Sequence, residues 1–148
     1  MVLCSMGLMI IEPLDDVLAE AARLLRPGGR MVALLPSTSP LTARDRVRHL
    51  RLQASLRHRF GFPNDRCLER PSGILAAAGF ALEHDERRRF EFQLDTPEAA
   101  ELYVRSLYLP GALPTRAAAG VRTARRWEGS TLGIPLRLLV AHRLTAVS

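Results

Sequence analysis

The sequence predicts an α/β domain built on a largely parallel sheet, and three observations within Leu18–Pro36 predict it. Leu18, Ala21, Ala22 and Leu25 recur at three- and four-residue spacing, the pattern of a helix that buries one face. Pro27-Gly28-Gly29 then stops the helix, because proline cannot continue the ladder and glycine accepts the positive φ that reverses the chain. Arg30 to Leu35 follows as a nearly continuous apolar run, as expected of a strand covered on both faces. A helix feeding such a strand is the repeating unit of α/β folds. Arg26 is expected in the last helical turn, where the helix dipole favours a cation.

The remaining elements follow in order. Met1 to Met6 (MVLCSM) suits a buried strand. Asp15 or Asp16 would cap or charge the first turn of the helix that leads to Leu25. Ser37 to Pro40 is a loop, and Leu41 to Phe60 is helical, with Thr42 and Asp45 spaced as a capping box. That helix has two apolar stripes, Val47, Leu50 and Ala54 on one side and Leu52, Leu56 and Phe60 nearly opposite, so it wants two packing partners. Gly61 to Asp65 is turn chemistry. Leu68 to Phe80 reads as one helix with Pro71 in its first turn and Gly79 as its stop. Ala81 to Leu94 alternates loosely around Arg87, Arg88 and Arg89 and their acidic neighbours, a solvated strand or loop surface.

Thr96-Pro97-Glu98 opens a further helix with a cap, a proline at the first position and an acid in the first turn. Ala99, Leu102, Tyr103 and Leu107 form its expected buried face, and Pro110-Gly111 ends it. Leu113 to Glu128 is also expected to be helical, Gly129 to Pro135 a connector, and Leu136 to Leu144 the final strand. The whole, residues 1–148, reads as a single domain with a helical insertion at 96–129 before its last strand.

Composition bounds the function. The net charge is +6, and all 21 basic residues are arginine. Such an excess, together with abundant Ala and Leu, reads as base composition and not as a polyanion footprint, since a footprint requires clustering on one face. Cys4 and Cys67 are too few for a disulfide framework or a zinc site. Met1 to Ile11 lacks a basic lead and a cleavage motif, and no run reaches the ~18 apolar residues of a membrane span. A cytoplasmic protein is expected.

MVLCSMGLMIIEPLDDVLAEAARLLRPGGR, followed at similar spacing by the AAAGF junction, resembles the class I S-adenosylmethionine (SAM)-dependent methyltransferases from their fourth strand onward. The resemblance covers nearly the whole chain. It implies a partial Rossmann-like sheet with strands equivalent to 4-5-7-6 and flanking helices. The first three strands of the family have no counterpart here. Absent with them are the G-x-G-x-G turn and the acidic residue that binds the cofactor ribose. Gly28-Gly29 does not replace that turn, because it leads from helix to strand. By resemblance, Cys4, Ser5, Met6 and Met9 would line the methionine side of SAM, with core packing as the competing reading for Met6 and Met9.

No catalytic base is legible. Methyl transfer needs little beyond in-line positioning of the acceptor. Glu12 could orient an acceptor or cap a turn. His49, His58, His84 and His142 are scattered, with His49 and His58 read as surface residues, and no metal site is apparent. The function expected is a SAM-dependent methyltransferase acting on a small molecule, present as a truncated chain inactive alone. Two alternatives stand beside it: a non-catalytic methyltransferase-like partner module, and an arginine-rich nucleic-acid-binding domain using Arg44 to Arg59 as its contact helix, tested by replacing Arg48, Arg51 and Arg59. The strand at Met1–Met6 is expected to pair with a second copy or a partner, without involvement of a membrane.

Overall fold

The computed structural model describes residues 1–145. Its elements run β1 (Val2–Ser5), α1 (Leu14–Leu24), β2 (Arg30–Pro36), α2 (Ala43–Leu56), α3 (Asp65–Glu69), α4 (Pro71–Ala77), β3 (Phe80–Leu94), α5 (Pro97–Arg105), α6 (Pro114–Arg125) and β4 (Ser130–Arg143). The four strands form one sheet in the order β1-β2-β4-β3. This is the order that the resemblance implies for strands four, five, seven and six.

The pairing identifies each strand. β1 runs parallel to β2, with Val2 opposite Met31 and Ser5 opposite Leu34. β4 runs antiparallel to β2, with Arg30 opposite His142 and Pro36 opposite Leu136. β3 is antiparallel to β4: Leu144 N–H donates to Gly79 C=O, and Gly129 N–H donates to Leu94 C=O. An antiparallel strand thus separates β2 from β3, and the parallel sheet expected from Leu18–Pro36 is corrected to a mixed one in which only β1 and β2 pair in parallel.

The chain divides into two compact units, one comprising Met1–Ser39, Phe62–Arg88 and the chain from Leu136, the other Pro40–Gly61 and Arg89–Pro135. In the first unit, Leu14, Leu18 and Ala21 of α1 pack with Met31, Ala33 and Leu35 of β2, and with Leu75, Phe80, Leu139 and Ala141. Only this side of β2 is fully buried. Val32 and Leu34 on the other side are half-buried, short of the two-sided burial expected. The turn after α1 is tied down by the end of β4. Gly28 N–H donates to Arg143 C=O at 2.9 Å, Arg143 N–H donates to Gly29 C=O at 2.8 Å, and the Arg143 guanidinium donates to Leu25 C=O. Only Gly28 takes a positive φ, 74°. Arg23, and not Arg26, is the basic residue of the last helical turn, because α1 ends at Leu24. Asp15 and Asp16 do lie in its first turn, but neither makes a side-chain cap.

The expected helix from Leu68 to Phe80 is two short helices. Pro71 starts α4 and has no N–H to continue α3, and Arg70 before it leaves the helical region at φ −122°, ψ 76°. Gly79, at φ 80°, is the helix stop that its position suggested.

In the second unit, Leu52 and Leu56 of α2 pack with Leu94, Ala100, Tyr103, Val104, Ala124, Trp127 and Leu132. The Thr42–Asp45 capping box forms as its spacing predicts, and Thr96 caps α5 by accepting from Ala99 N–H at 3.2 Å. α5 buries Ala100, Tyr103 and Val104, so its buried face is rotated from the one expected, and Leu102 is 63% exposed. Gly120 of α6 lets that helix approach α2, since a Cβ there would lie 2.5 Å from Leu56 Cδ2.

The largest departure from expectation is β4, which starts at Ser130 and takes in the supposed connector. Gly133 belongs in a strand because that strand passes against a buried carboxylate. Its N–H donates to Asp45 Oδ1 at 2.9 Å, and a Cβ there would meet Asp45 Oδ2 at 2.5 Å. Pro135 is tolerated because it falls just beyond Leu136, where the ladder with β2 stops.

Candidate functional site

In open α/β sheets, ligands bind outside the carboxyl ends of parallel strands. Here those ends are Ser5 of β1 and Pro36 of β2. Ser5 is exposed at its strand end, and Cys4 and Met6 are half-buried. Met6 leaves the strand in the left-handed region, φ 58°, with its N–H donating to Leu34 C=O at 2.8 Å. A non-glycine residue in that region is uncommon and costs of order 1 kcal/mol, so the surrounding structure must hold it there. The chain then doubles back at Gly7, where a Cβ would lie 2.8 Å from Cys4 Sγ. Gly7 C=O accepts from the N–H groups of both Ile10 and Ile11, which closes a tight loop over the strand end.

Three of the four residues expected at the site therefore sit at one strand end. Met9 lies apart from the surface of that loop: it is 8% exposed and belongs to the core of its unit. Glu12 is exposed and caps no turn by a side-chain hydrogen bond.

The residue that the sequence reading missed is Asn64. It is 5% exposed, and its side-chain amide donates to Leu8 C=O at 2.7 Å and Ile11 C=O at 2.9 Å. Its backbone N–H donates to Met9 C=O at 3.1 Å. One asparagine thus satisfies three carbonyls of the loop after β1. In the sequence it stands in GFPND, where turn chemistry is the stronger local signal. An asparagine directly before a helix start is the only hint it offers. Beside β1, the loop after β2 is held by Ser37, whose hydroxyl donates to Ser39 C=O at 2.8 Å and accepts from Ser39 N–H.

The chemistry offered at these strand ends is recognition: one free hydroxyl, an apolar wall and tightly held backbone. Among the described residues, no group of three or more His, Cys, Asp or Glu could hold a metal ion. The strongly perturbed carboxylates lie elsewhere and are structural. Burial is the largest influence on Asp45 and would raise its pKa. Hydrogen bonds from Arg89, Thr42 and the Gly133 N–H outweigh it and hold the carboxyl well below the usual range. Arg89 Nε lies 2.7 Å from Asp45 Oδ2. The Arg137 guanidinium, by hydrogen bond and charge, lowers Asp85, with Nε 2.6 Å from Oδ1.

Arg48 is likewise structural. It is 7% exposed, donates to Thr131 C=O at 2.6 Å and Ser130 Oγ at 2.9 Å, and lies over the Trp127 ring. The expectation that it contacts nucleic acid is thereby corrected, because both ends of its fork are committed inside the protein. His49 is also turned inward, with Nε2 2.9 Å from Gly133 C=O.

No family model and no curated protein matches the chain. Solved structures that align with it include a protein from Bacillus halodurans C-125 assigned as a methyltransferase, at 17% identity and TM-score 0.47, covering 97% of this chain and 64% of that one. The [4+2]-cyclase SpnF aligns at 17% identity and TM-score 0.48, covering 97% of this chain and 50% of its own. Geranyl diphosphate C-methyltransferase from Streptomyces coelicolor A3(2), determined with Mg2+, geranyl diphosphate and S-adenosyl-L-homocysteine, aligns at 18% identity and TM-score 0.38, covering 96% and 45%. The chain spans 64% or less of the length of each of these three.

Proposed function

We propose that these residues form the methionine-side part of a SAM-dependent methyltransferase acting on a small molecule. The observation that carries this reading is the sheet order β1-β2-β4-β3 with the Ser5–Gly7 loop folded over a parallel strand end. Ser5, with Met6 and Cys4 beside it, would meet the amino-acid end of the cofactor. Ser5 supplies a hydroxyl for polar groups, and Met6 an apolar contact. Asn64 acts through the loop as a positioning residue.

The residues present fit that end of the cofactor and not the whole of it. No G-x-G-x-G turn stands among the 148 residues, so the adenosine half has no cradle here. SAM would supply the electrophilic methyl group, and the protein's part would be to orient an acceptor in line with it. Binding by this chain alone is accordingly expected to be weak, and methyl transfer by it undetectable.

Backbone-resolved NMR of the labelled chain, titrated with S-adenosylhomocysteine to millimolar concentration, tests this. Shifts confined to Ser5–Gly7 are expected. No shift at those amides would sink the reading, and tight stoichiometric binding would show that the chain carries more of the cofactor site than its sequence displays. A non-catalytic methyltransferase-like module is the second reading, favoured by the absence of a G-x-G-x-G turn among the 148 residues. It differs in showing no cofactor shifts at any concentration.

A further inference from the structure

The second apolar stripe of α2 lacks the packing partner that its pattern calls for. Leu52 and Leu56 are fully buried, whereas Val47 is 47% and Leu50 64% exposed, and Ala54 is exposed with them. On a helix of 3.6 residues per turn, Val47, Leu50 and Ala54 form one strip along the outer face. Arg44 and Arg51 border that strip on one side and Arg46 on the other. Past the helix end, Arg57 and Arg59 join Leu50 and Ala54 around an open depression of about 300 Å³. Arg44, Arg46, Arg51, Arg57 and Arg59 are all exposed, and none of them forms an ion pair among the described residues. The sole acid of α2, Asp45, is buried and bound to Arg89. This face therefore has what the bulk composition does not establish, uncompensated positive charge gathered on one side of one element.

We infer that the outer face of α2 docks on an anionic lipid surface, lying in the interfacial plane. The charge calls for an anionic partner, and the apolar strip between the arginines calls for one that also accepts hydrocarbon. Interfacial helices have this cross-section: a central apolar strip enters the acyl boundary, and flanking long cations reach back to the headgroups. A duplex or single-stranded nucleic acid complements the arginines alone, and would leave Val47, Leu50 and Ala54 against phosphate. The docking differs from spanning, and no helix of the described residues is long and apolar enough to cross a membrane. It also differs from the expectation of no membrane involvement, which rested on the lack of an apolar span. The inference does not depend on the proposed methyltransferase role.

Flotation of the full chain with vesicles on a density gradient tests it, and keeps bound protein apart from aggregates, which do not float. Flotation is expected with phosphatidylcholine vesicles containing phosphatidylserine, and not with phosphatidylcholine alone. Molar salt should abolish it, since the Debye length falls to about 3 Å. Arg44→Gln combined with Arg51→Gln should weaken the apparent affinity roughly thirty-fold, at about a factor of five per arginine near a charged surface. Leu50→Ser should weaken it roughly tenfold through loss of apolar insertion, with the charge unchanged. Absence of flotation at low salt would overturn the inference. So would flotation indifferent to Leu50→Ser, or a nucleic-acid gel shift lost with the arginines and unaffected by Leu50→Ser.

Discussion

At the scale of single residues, two positions define how the chain holds its local shape, Asn64 beside the candidate site and Gly133 in the other unit. Asn64 replaces a piece of secondary structure: the loop after β1 has carbonyls that no ladder satisfies, and one buried amide satisfies two of them. Asn64→Ala strands both acceptors in the interior, which costs about 1–3 kcal/mol. Urea unfolding should register that loss, and hydrogen exchange at Leu8–Ile11 should accelerate more than at β2. Gly133 is the second. Its missing Cβ makes room for Asp45 and for Arg89, whose Nε would lie 2.5 Å from an added methyl. Gly133→Ala must either displace that ion pair or bend β4, with a cost of about 1–3 kcal/mol. A melting temperature unchanged within error would show that the pair yields freely.

At the scale of elements, what was legible in the sequence was what local signals decide. The capping box at Thr42 and Asp45, the cap at Thr96, the helix stop at Gly79 and the run into β2 each depend on residues a few positions apart, and each formed where expected. What was not legible depends on distant partners. Gly133 and Pro135 carry turn chemistry locally, and are held in β4 in part by a carboxylate 88 residues away in sequence. Arg48 reads as a surface cation until Thr131, Ser130 and Trp127 enclose it. At the candidate site, Ser5 and Met6 were legible from the strand pattern by resemblance, whereas Asn64 was not, its partners lying 53 and 56 positions away. The element with the least support is β1, which pairs with β2 alone and stands at the edge of the sheet with Leu3 68% exposed. Unpaired strand edges invite another strand. We propose that β1 mediates self-association or partner binding, and that Leu3→Lys suppresses it. Light scattering over a concentration series should show assembly of the parent chain and a shift toward monomer in the variant. A parent chain that stays monomeric, with the amides of β1 protected from hydrogen exchange, would refute this.

At the scale of the whole molecule, each of the two units carries one carboxylate held by an arginine, buried at Asp45 and partly exposed at Asp85, and these pairs shape how stability responds to acid. Asp45 in one unit has its pKa depressed by Arg89, Thr42 and Gly133 against the opposing effect of burial. Asp85 in the other is depressed chiefly by Arg137, whose NH2 group lies 2.5 Å from Oδ2. In the unfolded chain both groups return to about 3.9. A folded pKa below the unfolded value means that the unfolded chain binds protons first. The stabilisation is therefore complete above about pH 5, and is lost progressively as pH falls through 4 and below. Asp45 alone contributes on the order of 2 kcal/mol to this loss: its own side chain is 2% exposed, while the 23% exposure of Arg89 lets water screen part of the pairing. Unfolding free energies measured by urea from pH 6 to pH 2.5 should be flat at the upper end and decline steeply below pH 4. In Asp45→Asn the intact protein should be less stable at pH 6 by about 1–3 kcal/mol, because the amide cannot accept all the hydrogen bonds that Arg89, Thr42 and the Gly133 N–H give the carboxylate, while Arg89 keeps its pairing with Glu91. The same variant should show a shallower acid decline, since one of the linked protons is gone. An equally steep decline in the variant would place the linkage on other carboxylates and remove Asp45 from this role.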